Sequence, residues 1–503
     1  MGSKAASSAL DAFTEHVRAI ETTRSISSLL DWDQETLMPP RAAKDRANQL
    51  ALLAGLAHER LTSDHTARLL ESAEREAAGD PVAETNLREV RREYEREVKL
   101  PKSLVEEIAH AATLSKGEWV KARKESKFSI FAPHLSRMLE LKRQAADYLG
   151  WKTERYDALM DEYEPGARAS EVQTVFDGVK RELTPLLTAI VKAPRQPDRT
   201  VLERVCPVAA QAAFNRTLAE SLGFDFDAGR IDISVHPFCG GSGPSDVRMT
   251  TRYDERYMPM SLFGVLHETG HALYEQGFDP IHTGTPMARS VSLGIHESQS
   301  RMWENLIGRS RAFWTHFYPA LKAAFPSMAD VSPDAWYFAI NAVRPSFIRV
   351  EADEVTYGLH IMLRFDLERR MVGGQLAVQD VPAAWKEASR ALLGITPPDD
   401  AQGCLQDIHW SQGTFGYFPT YALGNLYASQ FFEAAKRAIP DLMERVARGE
   451  LRTLLGWLRE NIHRHGMRYR ASELVKVVTG KPLSHQAFVS YLKDKFGELY
   501  NLA

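Results

Sequence analysis

The sequence predicts a mainly α-helical fold with one small antiparallel β element, and three observations predict it. Runs of Ala, Leu, Glu and Arg with few breakers fill most of the chain. Only between Gly229 and Tyr253 does the pattern change to a period of two. The segment that follows, LFGVLHETGHALYEQG from Leu262 to Gly277, reads as an apolar helix.

The elements come in order from the N-terminus. Arg41 to Ala57 and Pro81 to Ala112 mix strong helix formers; Lys99-Leu100-Pro101 interrupts the second, since proline has no N–H to donate. Within it, EVRREYEREVKL sets opposite charges four apart, the pattern of a solvated helix face. Ser170 to Lys192 and Leu202 to Leu222 follow as helices. In GRIDISVHPF, Ile231, Ile233 and Val235 alternate with Asp232, Ser234 and His236, as in a half-buried strand. CGGSGPSD is turn chemistry, and Val247 to Tyr253 resumes a strand. No Gly-Lys-Ser/Thr follows these glycines, so they are not a phosphate loop, and Ser242 lacks the flanking pattern of a nucleophile elbow. Further helices are expected over Pro333 to Ala342, Asp353 to Met371 and Tyr421 to Arg437. With neither an internal repeat nor a low-complexity linker, residues 1–503 are expected to form a single domain of two helical halves flanking a deep cleft.

Composition narrows the class. With 44% hydrophobic residues, the chain can bury a large core. Its 62 Lys and Arg nearly balance 66 Asp and Glu, a net charge of −4, which argues for neither nucleic acid nor an acidic membrane as partner. Cys206, Cys239 and Cys404 are far apart and odd in number, as expected of thiols in a reducing compartment. The N-terminal MGSKAASSALDAFTEHVRAIE has no apolar signal core, and no stretch approaches the ~18 apolar residues of a membrane span. MGSKAAS matches the loose myristoylation pattern but stands without a second membrane signal. A cytoplasmic protein is expected.

The chemistry lies in the Leu262–Gly277 helix. His267 and His271, four apart, share one face, so two imidazole nitrogens can meet on one ion with Glu268 beside them. A catalytic zinc takes three protein ligands and keeps a position for water, whose proton a neighbouring carboxylate removes; Glu268 is placed to be that base. Chance would put His-Glu-x-x-His in this chain only about 0.04 times. For the third ligand, a metzincin would need glycine and histidine where Tyr274 and Gly277 stand. Glu275 has its Cα ~12 Å from that of His267, too far to share the ion. IHESQSRMWENL offers Glu297, near the start of a helix that can pack antiparallel to the first, and Glu304, two turns further on. His296 could orient the site from behind the ligands.

At these residues the sequence resembles a known family, the Taq-type thermostable metallocarboxypeptidases, helical zincin-like peptidases similar in outline to angiotensin-converting enzyme. The resemblance covers nearly the whole chain. LLDWDQETLMPPRAA, Leu29 to Ala43, is similar to a family segment, and six motifs occur in order. His236-Pro237-Phe238 matches HPF, Asp246 to Thr250 matches DxRxT, and His267 to His271 matches HExxH. His296 to Gln299 matches HESQ, Ile348 to Asp353 matches IRxxAD, and Gly403 to Trp410 matches GxxQDxHW.

The resemblance implies that Glu297 is the third ligand and that the metal is zinc, with cobalt possible. It implies peptide substrates with a free C-terminus, broad C-terminal specificity, release of single amino acids, and a homodimer. A terminal carboxylate suits an always-charged arginine; Arg349 is the candidate by resemblance, with Arg248 and Arg344 nearby and an ordinary ion pair to Glu351 or Asp353 as the plain reading. His409 and Tyr421, with Tyr417 behind them, are candidates to steady the oxyanion. His236, ending its strand, is a candidate to line the substrate groove. His463 and His465, two apart in NIHRHG, are expected at the surface.

Overall fold

Ser8 opens the first helix of the computed structural model, which describes residues 8–502; the MGSKAAS segment with its myristoylation-like pattern, and Ala503, lie outside the described residues. The Ser8 hydroxyl accepts the Asp11 N–H at 3.0 Å while the Asp11 carboxylate accepts the Ser8 N–H at 3.4 Å, a capping box. Helices α1 (Ala9–Thr36) and α2 (Ala43–Leu61) are joined through Pro39-Pro40. With α3 (Asp64–Glu76) and α4 (Pro81–Lys99) they enclose a small core that includes Phe13, Val17, Leu61, Leu70 and Val90. The run expected from Pro81 to Ala112 is thus two helices, α5 (Lys102–Glu125) restarting just after Pro101. Proline fits there because the first N–H groups of a helix need no partner within it. Next come α6 (Phe128–Leu149), α7 (Arg155–Met160) and α8 (Ala169–Lys192). The Leu202–Leu222 helix is shorter than expected. A 3-10 turn, Arg199–Glu203, precedes α9 (Val208–Leu222), which starts after Pro207 for the same reason.

The β element lies in the expected region, but β1 ends at Ile233, with Ile233 and Val235 exposed and Ser234 buried rather than the reverse, and it is a mixed sheet rather than an antiparallel one. Strands β1 (Gly229–Ile233), β2 (Cys239–Gly243) and β3 (Asp246–Thr251) lie in the order β1-β3-β2. β2 and β3 pair antiparallel, but β1 and β3 pair parallel. The chain reverses twice between β1 and β3, so β1 and the central β3 run the same way while β2, on the other edge, runs opposite to both. The glycines expected to form a turn are mostly strand. Any side chain at Gly241 would strike the Asp246 carbonyl across the β2–β3 ladder, so the glycine there permits a close pairing.

The remaining chain is helical. It comprises α10 (Pro259–Glu275), α11 (Leu293–Arg301), a π-helical turn over Met302–Ile307, α12 (Arg311–Ala324), α13 (Pro333–Ile340) and α14 (Thr356–Val372). Then follow α15 (Val381–Leu393), α16 (His409–Gln412), α17 (Phe418–Ala438), α18 (Leu442–Ala447), α19 (Arg452–Asn461), α20 (Ala471–Thr479) and α21 (Gln486–Tyr500). One large apolar core runs from α5 to α21 and encloses α10 and α17. No helix among the described residues is long and apolar enough to cross a membrane.

Two glycines set the spacing at the centre. A Cβ at Gly270 of α10 would stand 2.5 Å from Ser300 Cα of α11. A Cβ at Gly424 of α17 would stand 2.5 Å from Glu297 Cγ. Helix α11 is therefore pressed between two helices, neither of which places a side chain at its point of contact. Its N-terminus is tied by Glu164, whose carboxylate accepts the Gly294 N–H at 3.1 Å and the Tyr427 hydroxyl at 2.8 Å. Burial pushes the Glu164 carboxyl up to about 7.

Because backbone faces Gly270, Gly270→Ala must move α11. We expect it to destabilise the fold by about 1–3 kcal/mol, read as a lowered denaturation midpoint in chelator-treated protein.

Candidate active site

The HETGH stretch lies on α10 with its middle three residues buried, and its two half-buried histidines meet Glu297 of α11 in a triangle. His267 Nε2 and His271 Nε2 are 3.2 Å apart. Glu297 Oε2 lies 3.6 Å from the first and 3.4 Å from the second. A tetrahedral ion with bonds of about 2.0–2.1 Å requires donor separations of about 3.3–3.4 Å. Two imidazole nitrogens and one carboxylate oxygen at these distances fit a divalent cation such as zinc. They are also the residues whose donor atoms gather as a candidate metal group. Burial, helped by neighbouring His296, pushes the His271 imidazole down to about 3, so it is neutral with a free lone pair.

Groups behind the triangle hold it in place. His267 Nδ1 bonds Glu304 Oε2 at 2.9 Å. Glu304 therefore lies behind His267 and outside the triangle, whose carboxylate oxygen comes from Glu297. Burial works to raise both carboxyls, but Arg301 and His267 outweigh it. Glu304 is held down at about 2, and Glu297 well below the usual range. Burial likewise opposes charge on His267, yet Glu297 and Glu304 leave its imidazole raised. His296 stacks on His271, with ring centroids 4.3 Å apart, and bonds Glu275 at 2.8 Å. Glu268 is buried beside the triangle, and burial pushes its carboxyl up to about 7.

A second cluster joins the IRxxAD and GxxQDxHW segments. Arg349 is buried, and its Nε and Nη2 donate to Asp407 Oδ1 at 3.0 and 2.8 Å. Its partner is thus Asp407 and not the neighbouring Glu351 or Asp353. Asp353 is occupied by the Val355 and Thr356 N–H groups at the start of α14 and by the Arg344 N–H. Arg364, which sequence reasoning missed, donates to Asp407 Oδ2 at 2.7 Å from the other side. Burial opposes the Asp407 charge, but the two guanidiniums hold its carboxyl well below the usual range. Burial is the larger effect on Arg364, whose guanidinium is lowered to about 10.

Tyr357, also missed, connects the clusters. Arg301 lies 4.3 Å from its ring centroid, and its hydroxyl is 3.4 Å from Arg349 Nη1. It stands one turn beyond the Asp353 of IRxxAD, which is the signal that would have pointed to it. The Tyr421 ring is 5.0 Å from the Arg349 guanidinium, its hydroxyl is 3.4 Å from His409 Nε2, and Tyr417 packs against it at 5.2 Å. Burial pushes His409 down to about 4, against the pull of Asp407. The turn that carries His409 is pinned by Glu368 of α14. Its carboxylate accepts the Trp410 indole N–H at 2.9 Å, the Tyr156 hydroxyl at 2.7 Å and the Gly416 N–H at 3.1 Å.

Other sequence-derived candidates lie differently. Arg248 pairs with Asp246 at 2.7 Å and rests 4.3 Å from the Trp32 ring centroid, which joins β3 to α1. His236 is exposed between β1 and β2. His463, expected at the surface, is fully buried, bonding Gln299 Oε1 at 3.0 Å and packing on Tyr274. It sits in a 3-10 turn, His463–His465, whose geometry turns it inward beneath Gly277.

The family model for the carboxypeptidase Taq (M32) metallopeptidase matches residues 12–496. Thermostable carboxypeptidase 1 of Thermus thermophilus is 45% identical over 95% of this chain and 96% of its own. Carboxypeptidase 1 of Bacillus subtilis is 36% identical over 97% of this chain and 98% of its own. The crystal structure of an M32 carboxypeptidase from Deinococcus radiodurans R1 superposes with a TM-score of 0.95 at 40% identity, covering 97% of this chain and 99% of that one.

Two outcomes follow from these contacts. Glu304→Gln loses the charge that orients His267, and zinc affinity measured by chelator competition should fall about 10–100-fold. Glu368 is fully buried, and burial pushes its carboxyl up to about 7 although three donors pull it down. Its folded pKa exceeds the unfolded value, so its contribution to stability is whole below about pH 4.5 and is lost as pH rises through about 7. Denaturation midpoints of Glu368→Gln should therefore decline less across that window than those of the wild type.

Proposed function

The chain belongs to the carboxypeptidase Taq (M32) metallopeptidase family and is a metal-dependent carboxypeptidase; from that premise we propose how its residues share the work. His267, His271 and Glu297 hold the ion, which we assign as zinc with cobalt able to replace it. The observation that carries this reading is the triangle of donor atoms, 3.2, 3.4 and 3.6 Å on its sides. When bound, a divalent cation supplies a Lewis acid that polarises the scissile carbonyl and acidifies water.

Glu268 removes the proton of the attacking water and later delivers it to the leaving amine. Arg349 receives the terminal carboxylate. Asp407 occupies its Nε and Nη2, and its remaining Nη1 is available beside Tyr357. His409 and Tyr421, adjacent to each other, donate to the oxyanion; a neutral imidazole offers an N–H at any pH above its lowered pKa. Arg248 and His236, on the β element, line the approach to the cleft between two halves of a single domain. Broad tolerance of C-terminal residues and assembly as a homodimer complete the proposal and rest on the family resemblance, and a cytoplasmic location rests on the three widely spaced, unpaired cysteines.

The test is the product series from an N-blocked pentapeptide. Single residues should leave stepwise from the C-terminus, and amidating that end or introducing Glu268→Gln should abolish release. Dipeptide products would move the carboxylate anchor one residue further from the metal. Arg349→Lys keeps the charge but loses the fork, so kcat/KM should fall about 10–100-fold.

A further inference from the structure

Glu297 presents its two oxygens to different partners. Oε2 faces both His267 and His271, while Oε1 accepts Arg301 Nε at 2.7 Å. The same guanidinium reaches Glu304 Oε2 through Nη1 at 3.2 Å, the oxygen that bonds His267 Nδ1. One planar group thus bridges the third proposed ligand and the carboxylate that orients the first. Arg301 stands one turn after Glu297 as the last residue of α11, and the π-helical turn that follows carries Glu304. Its guanidinium is only 15% exposed in its side chain and lies 4.3 Å from the Tyr357 ring centroid, which restrains its plane.

We infer that Arg301 is a positioning residue that restricts Glu297 to a single oxygen toward the ion and, through Glu304, fixes the orientation of His267. The inference rests on the reading of His267, His271 and Glu297 as ligands. A carboxylate that turned both oxygens to the ion would fill the coordination position that a catalytic site keeps open for water and substrate. An arginine clamped on Oε1 prevents this, because its fork fixes both the direction and the distance of the carboxylate.

A cation this close to a metal ion carries its own discriminating test. If Arg301 acted only through its charge, removing that charge would ease repulsion and tighten metal binding. If it positions the ligands, its removal weakens binding despite the eased repulsion.

The experiment strips the full chain with chelator and measures zinc affinity by competition with a chromophoric chelator, for wild type, Arg301→Gln and Arg301→Lys. We expect about a 10–100-fold loss in both variants, since lysine keeps the charge but cannot bridge two carboxylates. In cobalt-loaded protein the visible band should lose intensity in both, as freed Oε1 adds a ligand. Tighter or unchanged zinc binding in Arg301→Gln overturns the inference, as does wild-type behaviour of Arg301→Lys, which retains a cation if the glutamine variant does not fold. Glu297→Ala is the control for the underlying reading. If it leaves zinc affinity unchanged, the ligand set is wrong; if it abolishes binding while both Arg301 variants bind as wild type, only the role of Arg301 is wrong.

Discussion

The contact between α10 and α11 is made backbone to backbone, and the geometry of the site depends on it. Helices whose side chains interdigitate usually pack 8–10 Å apart. Gly270 removes the side chain at the crossing with Ser300, and Gly424 does the same where α17 passes the stem of Glu297. Donor atoms that must lie about 3.3–3.4 Å apart around one ion leave little freedom in that spacing. The glycine inside HETGH thus has a geometric purpose distinct from the histidines and glutamate around it. Glu164 and the Ser292 hydroxyl, which accepts the Ile295 N–H at 3.0 Å, set how far along its axis α11 lies.

Buried charge in the site is shared rather than paired one to one. Arg301 serves Glu297 and Glu304, while Asp407 serves Arg349 and Arg364. A lone buried ion would cost several kcal/mol, so each group is held ionised by partners, those of Arg301 within a turn of it and those of Asp407 from two other segments of the chain. The second arrangement leaves two guanidiniums on one carboxylate, an excess of positive charge suited to an anionic peptide end. Tyr357 lies between the clusters, touching Arg301 with its ring and Arg349 with its hydroxyl. The proposed metal ligands and the proposed carboxylate anchor are therefore linked through two side chains, Arg301 and Tyr357.

His271 and His409 are handled in the opposite way. Burial keeps His271 and His409 neutral, pushing them down to about 3 and about 4. Neutral imidazole is what a metal ligand needs, and it remains a hydrogen-bond donor across the physiological range. Glu368 extends the same economy to the backbone, since one carboxylate holds the indole of Trp410 and the amide of Gly416 at the two ends of the His409 turn.

Helical class, the place of the β element and the His267, Glu268, His271 group were legible in the sequence, because each is a periodicity expressed within one or two turns of chain. The family motifs also pointed to Glu297, Arg349 and His409. Spacing alone could not choose between Glu297 and Glu304, which lie on nearly the same helix face; the crossing at Gly270 and the π-helical turn set one toward the histidine nitrogens and the other behind His267. Composition misread CGGSG as a turn, since a glycine run does not reveal whether another strand pairs with it. His463 faced inward because its segment is a 3-10 turn, and Arg349 found Asp407 rather than its sequence neighbours. Those outcomes depend on which distant segments are brought together, and that is decided by packing across the whole core rather than by the order of residues along one helix.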